Sequence, residues 1–143
     1  MNDQNKAEAM ADEVTTVEIG RDKYRTLVRS RGHEYVADEP GAMGGADLGP
    51  SPFELLLASL GACKVITVRM YADRKGWDLE SVRMDLAHSR PEGRDKPERI
   101  EVSITLRGDL DEDQRGRLKE IAEKCPVQRT ITGELTVESV LEE

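Results

Sequence analysis

Two hydrophobic periods alternate along this chain. Near the start, three short segments of β character, Val14 to Ile19, Tyr24 to Val28 and Glu34 to Ala37, are separated by Gly20-Arg21-Asp22 and by Arg31-Gly32. That spacing predicts an antiparallel meander. Residues 1 to 12 before it are polar and acidic, with no apolar stretch of a secretory signal, and read as a mobile tail ahead of a single domain over 13–143. After the meander, Asp38 to Pro50 is rich in Gly and Pro and fits neither period, so a loop of about a dozen residues is expected there.

Ser51-Pro52-Phe53-Glu54 then carries the signs of a helix start: Ser as N-cap, Pro at the first helical position, and Glu at the third, closing a capping box. The helix is expected to reach Lys75, where Arg74 and Lys75 complement its dipole and Gly76 supplies a left-handed cap. No charge interrupts Leu55 to Cys63 on any face, which predicts that the first half is buried all round. A small domain cannot easily enclose such a helix, so a second copy of the chain is the simplest expected cover. Trp77, just past the glycine, is expected to pack back on the helix.

Beyond Trp77 the period returns to two. Val82, Met84 and Leu86, then Ile100, Val102, Ile104 and Leu106, mark two strands over Ser81 to His88 and Arg99 to Arg107, joined by a polar, basic connection from Ser89 to Pro97. A second helix starts near Asp109 or Asp111, with Leu118, Ile121, Ala122 and Cys125 on its apolar face. It should end at Cys125, because Pro126 disfavours helical geometry in the residue before it. Glu134 to Val140 alternates again and is expected to close the domain as a strand. The order βββ, helix, ββ, helix, β is an α+β architecture with mainly antiparallel strands.

Composition narrows the function classes. Lys and Arg number 21 against 29 Asp and Glu, a net charge of −8, and Phe, Trp and Tyr together make up 3% of the chain. Nucleic acid is not an expected partner, since phosphate contacts need a basic patch and base stacking needs aromatic platforms. Nor is a membrane: the uncharged run Leu55 to Cys63 is about half the ~20 residues of a span. A cytoplasmic location is expected, and its reduced thiols argue against a permanent structural bridge between the two cysteines.

Cys63 and Cys125 are therefore either inert core residues or chemistry. Each sits late in a helical stretch on an apolar face, and helices crossing nearby would bring the sulfurs within disulfide reach. Such a pair can run one reaction: a thiolate attacks a peroxide and becomes a sulfenic acid, and the second thiol condenses with it to a disulfide that an external dithiol reduces. The attacking thiolate needs a cation to lower its pKa. Cys63 lies mid-helix, so that cation must be an arginine from elsewhere, with Arg25, Arg29, Arg31 and Arg129 as candidates.

Other combinations are less productive. His33 and His88 with the two cysteines lack zinc-site spacing, and no metal or cofactor is expected. Asp38 and Glu39 are adjacent on a strand end and point apart, which favours a solvated turn. Gly44-Gly45 and Gly49 precede no Lys-Ser/Thr pair of a phosphate loop.

The run Ser51-Pro52-Phe53-Glu54-Leu55-Leu56-Leu57-Ala58-Ser59-Leu60-Gly61-Ala62-Cys63, followed 62 residues later by Cys125-Pro126-Val127, resembles the OsmC/Ohr family of osmotically inducible and organic hydroperoxide resistance proteins. The segment Tyr71 to Trp77 and the loop Asp38-Glu39-Pro40 resemble its YhfA-like branch, and the similarity runs over residues 14 to 142. The resemblance implies an intertwined homodimer with long central helices, two sites at its interface, and reduction of small organic hydroperoxides with a dithiol reductant, often a lipoylated protein. It also implies that Cys63 is peroxidatic, that Cys125 resolves it, and that an arginine and a glutamate orient the first. The family's glutamate directly follows the helix-opening proline, where this chain has Phe53. Glu54 comes one residue, about 100°, later, so it reads either as the catalytic carboxylate or as the capping-box residue alone. Arg29 and Arg31 are the arginines carried forward. Two further readings stay open beside the peroxidase: a non-catalytic member that binds an apolar ligand or partner in the dimer cleft, and a dimeric scaffold whose cysteines are only core.

Overall fold

A computed structural model describes residues 14–92 and 95–142. The expected mobile tail over 1 to 12 lies outside the described residues. The chain forms two compact units, Met1–Leu55 and Leu56–Glu143, divided within the first turn of the long helix.

The first unit is a meander of β1 (Thr15–Ile19), β2 (Thr26–Ser30) and β3 (His33–Ala37), paired antiparallel in the order β1-β2-β3. Val17, Val28 and Tyr35 stand opposite one another across the three strands, which gives the sheet one apolar face. Arg29 lies in the other row, opposite Thr16 and Glu34. The β2–β3 turn consists of Arg31 and Gly32, and Arg31 takes a left-handed φ of 55°. Two-residue hairpin turns favour that geometry because it matches the strand twist.

The loop from Asp38 to Pro50 is organised from its first residue. Asp38 is buried, contrary to the solvated turn expected there. Its carboxylate accepts the N–H groups of Glu39 (2.7 Å) and Leu48 (3.2 Å), while its own N–H donates to the Pro50 carbonyl at 3.1 Å. A carboxylate satisfied by backbone donors can leave solvent without being stranded, which is why a charged residue sits at this position. Between these anchors runs a single 3₁₀ turn, Gly41–Met43. Gly49 passes so close to β3 that a Cβ there would lie 1.8 Å from the Val36 carbonyl oxygen.

The long helix α1 spans Pro52–Lys75. Its start is the expected capping box: Glu54 N–H donates to Ser51 Oγ at 3.3 Å, and Ser51 N–H donates to Glu54 Oε1 at 3.2 Å. At its end Gly76 (φ 69°) donates to Asp73 O and Trp77 N–H to Ala72 O, the paired closure of a Schellman motif. Trp77 folds back edge-on to Tyr71, with ring centroids 5.6 Å apart.

In the second unit, β4 (Asp78–Ser89) and β5 (Arg99–Asp109) form a long antiparallel hairpin; the connection between them includes residues outside those described. Val82, Met84 and Leu86 pair with Leu106, Ile104 and Val102, so all six share the face predicted by the alternation. Helix α2 (Glu112–Ala122) opens with a second capping box, Asp111 with Gln114, and packs Leu118 and Ala122 against Val68 and Ala72 of α1, together with Leu79 and Leu110. Arg115 fastens the β5–α2 connection by donating to the carbonyls of Leu106, Gly108 and Leu110. A short helix α3 (Pro126–Thr132), which the sequence pattern did not reveal, follows Cys125.

A further expectation is corrected. Glu134 to Val140 is not a strand: the segment pairs with no described strand, and Leu135, Val137 and Val140 are exposed. Alternation alone cannot make a strand, because its backbone groups need a partner edge to bond, and neither described sheet includes this segment. The all-round burial expected for the first half of α1, with a second copy as cover, is not reached by one chain alone. Within one chain only the stripe Leu60, Gly61, Lys64, Val68 and Ala72 is covered, while Phe53, Ile66 and Met70 stay exposed. The helix is long and apolar enough to cross a membrane by length and composition. Its buried stripe nevertheless packs in this unit's core and carries a lysine with protein acceptors.

Candidate functional site

Helix α1 presents Cys63 near its middle, and the link between α2 and α3 presents Cys125. Gly61, two residues before Cys63, lets β4 approach α1: a Cβ there would meet Leu86 Cδ1 at 2.8 Å. Both thiols are free, Cys63 half-buried and Cys125 fully buried.

Cys125 is where α2 gives way to α3. Helix α2 closes at Ala122, with Glu123 as its C-cap, and Cys125 is extended (φ −65°, ψ 130°), as its position before Pro126 requires. It becomes the N-cap of α3: Gln128 N–H donates to Cys125 Sγ at 3.4 Å. Sulfur is a weak acceptor, and here it takes the place usually held by a Ser, Thr, Asn or Asp oxygen.

The two thiols feel each other. Burial pushes the Cys125 thiol up from its ordinary pKa, and hydrogen bonding with the Cys63 thiol adds to that rise; the Gln128 and Val127 amides pull the other way. Cys125 thus favours the protonated thiol in the reduced protein, beside a more accessible Cys63. A half-buried thiol interacting with an enclosed one is an arrangement in which oxidation of the first can be captured by the second.

Sequence reading passed over a third member of this region. Lys64, the residue after Cys63, is 2% exposed. Its Nζ donates to the Ala122 carbonyl at 2.9 Å and to Gln128 Oε1. The available signal was a single lysine in an otherwise uncharged stretch of α1 from Leu55 to Val68.

The other predicted residues have definite places. Glu54 is committed to the α1 capping box, bonded to Ser51 N–H. Arg29, on β2, donates through Nε to Glu34 at 2.6 Å and stands 3.8 Å from Glu18; the Glu34 bond holds its pKa above the ordinary arginine value. Arg31 is exposed in the β2–β3 turn, and among the described residues its side chain makes no ion pair. Arg25 is exposed beyond the β1–β2 turn, and Arg129 is exposed in the last turn of α3. Among the described residues no three His, Cys, Asp or Glu side chains group so as to hold a metal ion.

In the first unit, a cavity of about 430 Å³ opens on the apolar face of the meander, its lining including Val17, Ile19, Val28, Tyr35, Pro52 and Leu55.

Solved structures share this fold. An OsmC-like protein from Mycoplasma pneumoniae matches with a TM-score of 0.73 at 20% identity, over 85% of this chain and 88% of that one. An osmotic stress induced and detoxification response protein from Psychrobacter arcticus matches at 0.68 and 22%, over 80% and 85%. An organic hydroperoxide resistance protein from Legionella pneumophila, described as a redox protein, matches at 0.62 and 24%, over 85% and 90%. No curated protein matches the sequence. The family model for OsmC-like proteins matches residues 44–140, which hold both cysteines, α1 and the β4–β5 hairpin, and the chain belongs to that family.

Proposed function

We propose that this chain is a cysteine peroxidase for small organic hydroperoxides. The observation that carries the reading is the half-buried Cys63 interacting with the buried Cys125. The Cys63 thiolate attacks the terminal peroxide oxygen; the O–O bond breaks, the alkoxide takes a proton to leave as alcohol, and Cys63 becomes a sulfenic acid. The Cys125 sulfur then displaces that hydroxyl, forming the disulfide and releasing water. An external dithiol supplies two electrons and two protons to restore both thiols. A lipoylated protein is the expected source of that dithiol, and names such as that of the Legionella protein support the substrate class.

Arg31 is the cation assigned to the Cys63 thiolate, because Arg29 is already neutralised by Glu34 and Glu18. Glu54 serves in this reading as the cap of α1.

A homodimer completes the domain. The exposed apolar residues Phe53, Ile66 and Met70 of α1, and Leu135, Val137, Val140 and Leu141 of the C-terminal segment, support a second copy as their cover. A reducing, cytoplasmic setting keeps both thiols ready.

Steady-state consumption of cumene hydroperoxide with a dithiol reductant tests the function. Wild-type protein turns over, and Cys63→Ser does not; unchanged turnover in the variant overturns the proposal. The cavity on the meander favours one second reading, a protein that binds an apolar ligand without redox chemistry. Sluggish alkylation of Cys63 at neutral pH would select it.

A further inference from the structure

A lysine in the interior needs a reason, because a methionine or leucine would fill the same volume without losing the hydration of a charge. Lys64 is covered, yet its ammonium is well provided for. One acceptor is the carbonyl of Ala122, the last residue of α2, whose oxygen lacks an intrahelical partner and lies at the negative end of the helix dipole. The other is the side-chain oxygen of Gln128 in α3. These two acceptors flank Cys125 in the chain, three residues before and three residues after it.

Gln128 extends the connection in both directions. Its backbone N–H donates to Cys125 Sγ, and its Nε2 donates to Glu123 Oε2 at 3.2 Å. The short link Glu123–Cys125 between α2 and α3 is therefore bracketed by the two acceptors of one ammonium group, one in the last residue of α2 and one in the first turn of α3. That ammonium belongs to the residue covalently next to Cys63. The backbone joining Cys63 to Lys64 is rigid helix, so fixing the lysine tip to the link fixes the link relative to Cys63.

We propose that Lys64 is a positioning residue for disulfide closure: by bonding Ala122 and Gln128 together it holds the Cys125 link in register with α1, so that the second thiol stays within reach of the first. The inference rests on the two-cysteine reading above. Lys64 exchanges no atom or electron in the step it serves, in which the Cys63 sulfenic acid and the Cys125 thiol become a disulfide and water.

The two steps can be timed separately after a single equivalent of cumene hydroperoxide, by quenching with a sulfenate-trapping dione and with an alkylating agent before mass spectrometry. Lys64→Met should form the Cys63 sulfenate at the wild-type rate and close the disulfide at least about tenfold more slowly, since small misplacements of reacting groups are costly. Gln128→Leu should slow closure in the same way, whereas Gln128→Glu combined with Glu123→Gln, which keeps both the acceptor for the ammonium and a bond between the two side chains, should close at close to the wild-type rate. Gln128→Leu also serves if Lys64→Met fails to fold. Closure at the wild-type rate in Gln128→Leu, or equal slowing of both steps, overturns the positioning role. Wild-type protein that forms neither sulfenate nor disulfide overturns the two-cysteine reading itself, and the role of Lys64 with it.

Discussion

Gln128 donates its backbone N–H to the sulfur of Cys125, so the second thiol of this chain is also the N-cap of a helix. A cap and a redox group make different demands on one atom, and substitutions can separate them. Cys125→Ser keeps an acceptor at the cap with a better one than sulfur, while Cys125→Ala removes it. The serine variant should be about 1 kcal/mol more stable than the alanine variant in urea denaturation, the usual worth of an N-cap. Neither can close a disulfide. Equal stabilities would show that the sulfur does not hold α3.

The raised pKa of Cys125 fixes the sign of a pH effect. An unfolded cysteine titrates at about 8.5, and the folded Cys125 titrates higher, chiefly because it is buried. Between the two values the folded state holds the proton that the unfolded state has lost, so stability falls as pH rises through that window and is fully retained below it. Urea denaturation of the reduced protein from pH 7.5 to 10 should show this loss, and Cys125→Ala should show less of it. Identical slopes would place Cys125 at an ordinary pKa.

The start of α1 separates cap from catalyst. Ser51→Ala should cost about 1 kcal/mol by thermal or urea denaturation, because it strips the Glu54 N–H of its acceptor. Glu54→Gln preserves the reciprocal bond to Ser51 N–H and should change stability little and peroxide turnover little. A large loss of turnover in Glu54→Gln at unchanged stability would assign the carboxylate to the chemistry instead.

Arg31 combines a left-handed backbone with the proposed role of cation for Cys63. Its left-handed φ of 55° costs an ordinary residue about 1 kcal/mol that glycine avoids, so Arg31→Gly should raise stability by roughly that amount. The same variant should slow sulfenate formation at Cys63, measured under single turnover, more than Arg29→Ala does. The reverse order would make Arg29 the activating cation.

A methyl group at Gly49 would collide with the Val36 carbonyl oxygen, which is backbone and cannot swing aside. Gly49→Ala should therefore destabilise the protein by about 2 kcal/mol or more, read from its denaturation midpoint. A near-neutral result would mean that the loop can lift away from β3.

Much of this fold was legible because local signals agreed with the tertiary outcome. Ser51, Pro52 and Glu54 set the start of α1, and Gly76 set its end at the expected residue. The alternation at Val82, Met84 and Leu86 gave the paired face of β4. Pro126 gave the extended geometry of Cys125, although α2 ends at Ala122, three residues before the expected Cys125.

Features that depend on distant partners were not legible. Asp38 is buried because the loop returns Leu48 N–H to it, and nothing in its neighbours along the chain says so. Lys64 is buried because the end of α2 and the side of α3 supply acceptors, 58 and 64 residues away. The alternation of Glu134 to Val140 misled for the opposite reason: the pattern is present, but the segment pairs with neither described sheet.

The most direct test of the two-cysteine cycle is stoichiometric. Reduced protein is mixed with about one equivalent of cumene hydroperoxide, and separately with hydrogen peroxide, and the products are mapped by mass spectrometry. The cycle predicts rapid loss of both thiols into a single Cys63–Cys125 disulfide, faster with the organic peroxide. Two intact thiols after minutes would contradict it and leave a protein that keeps the fold without the peroxidase chemistry.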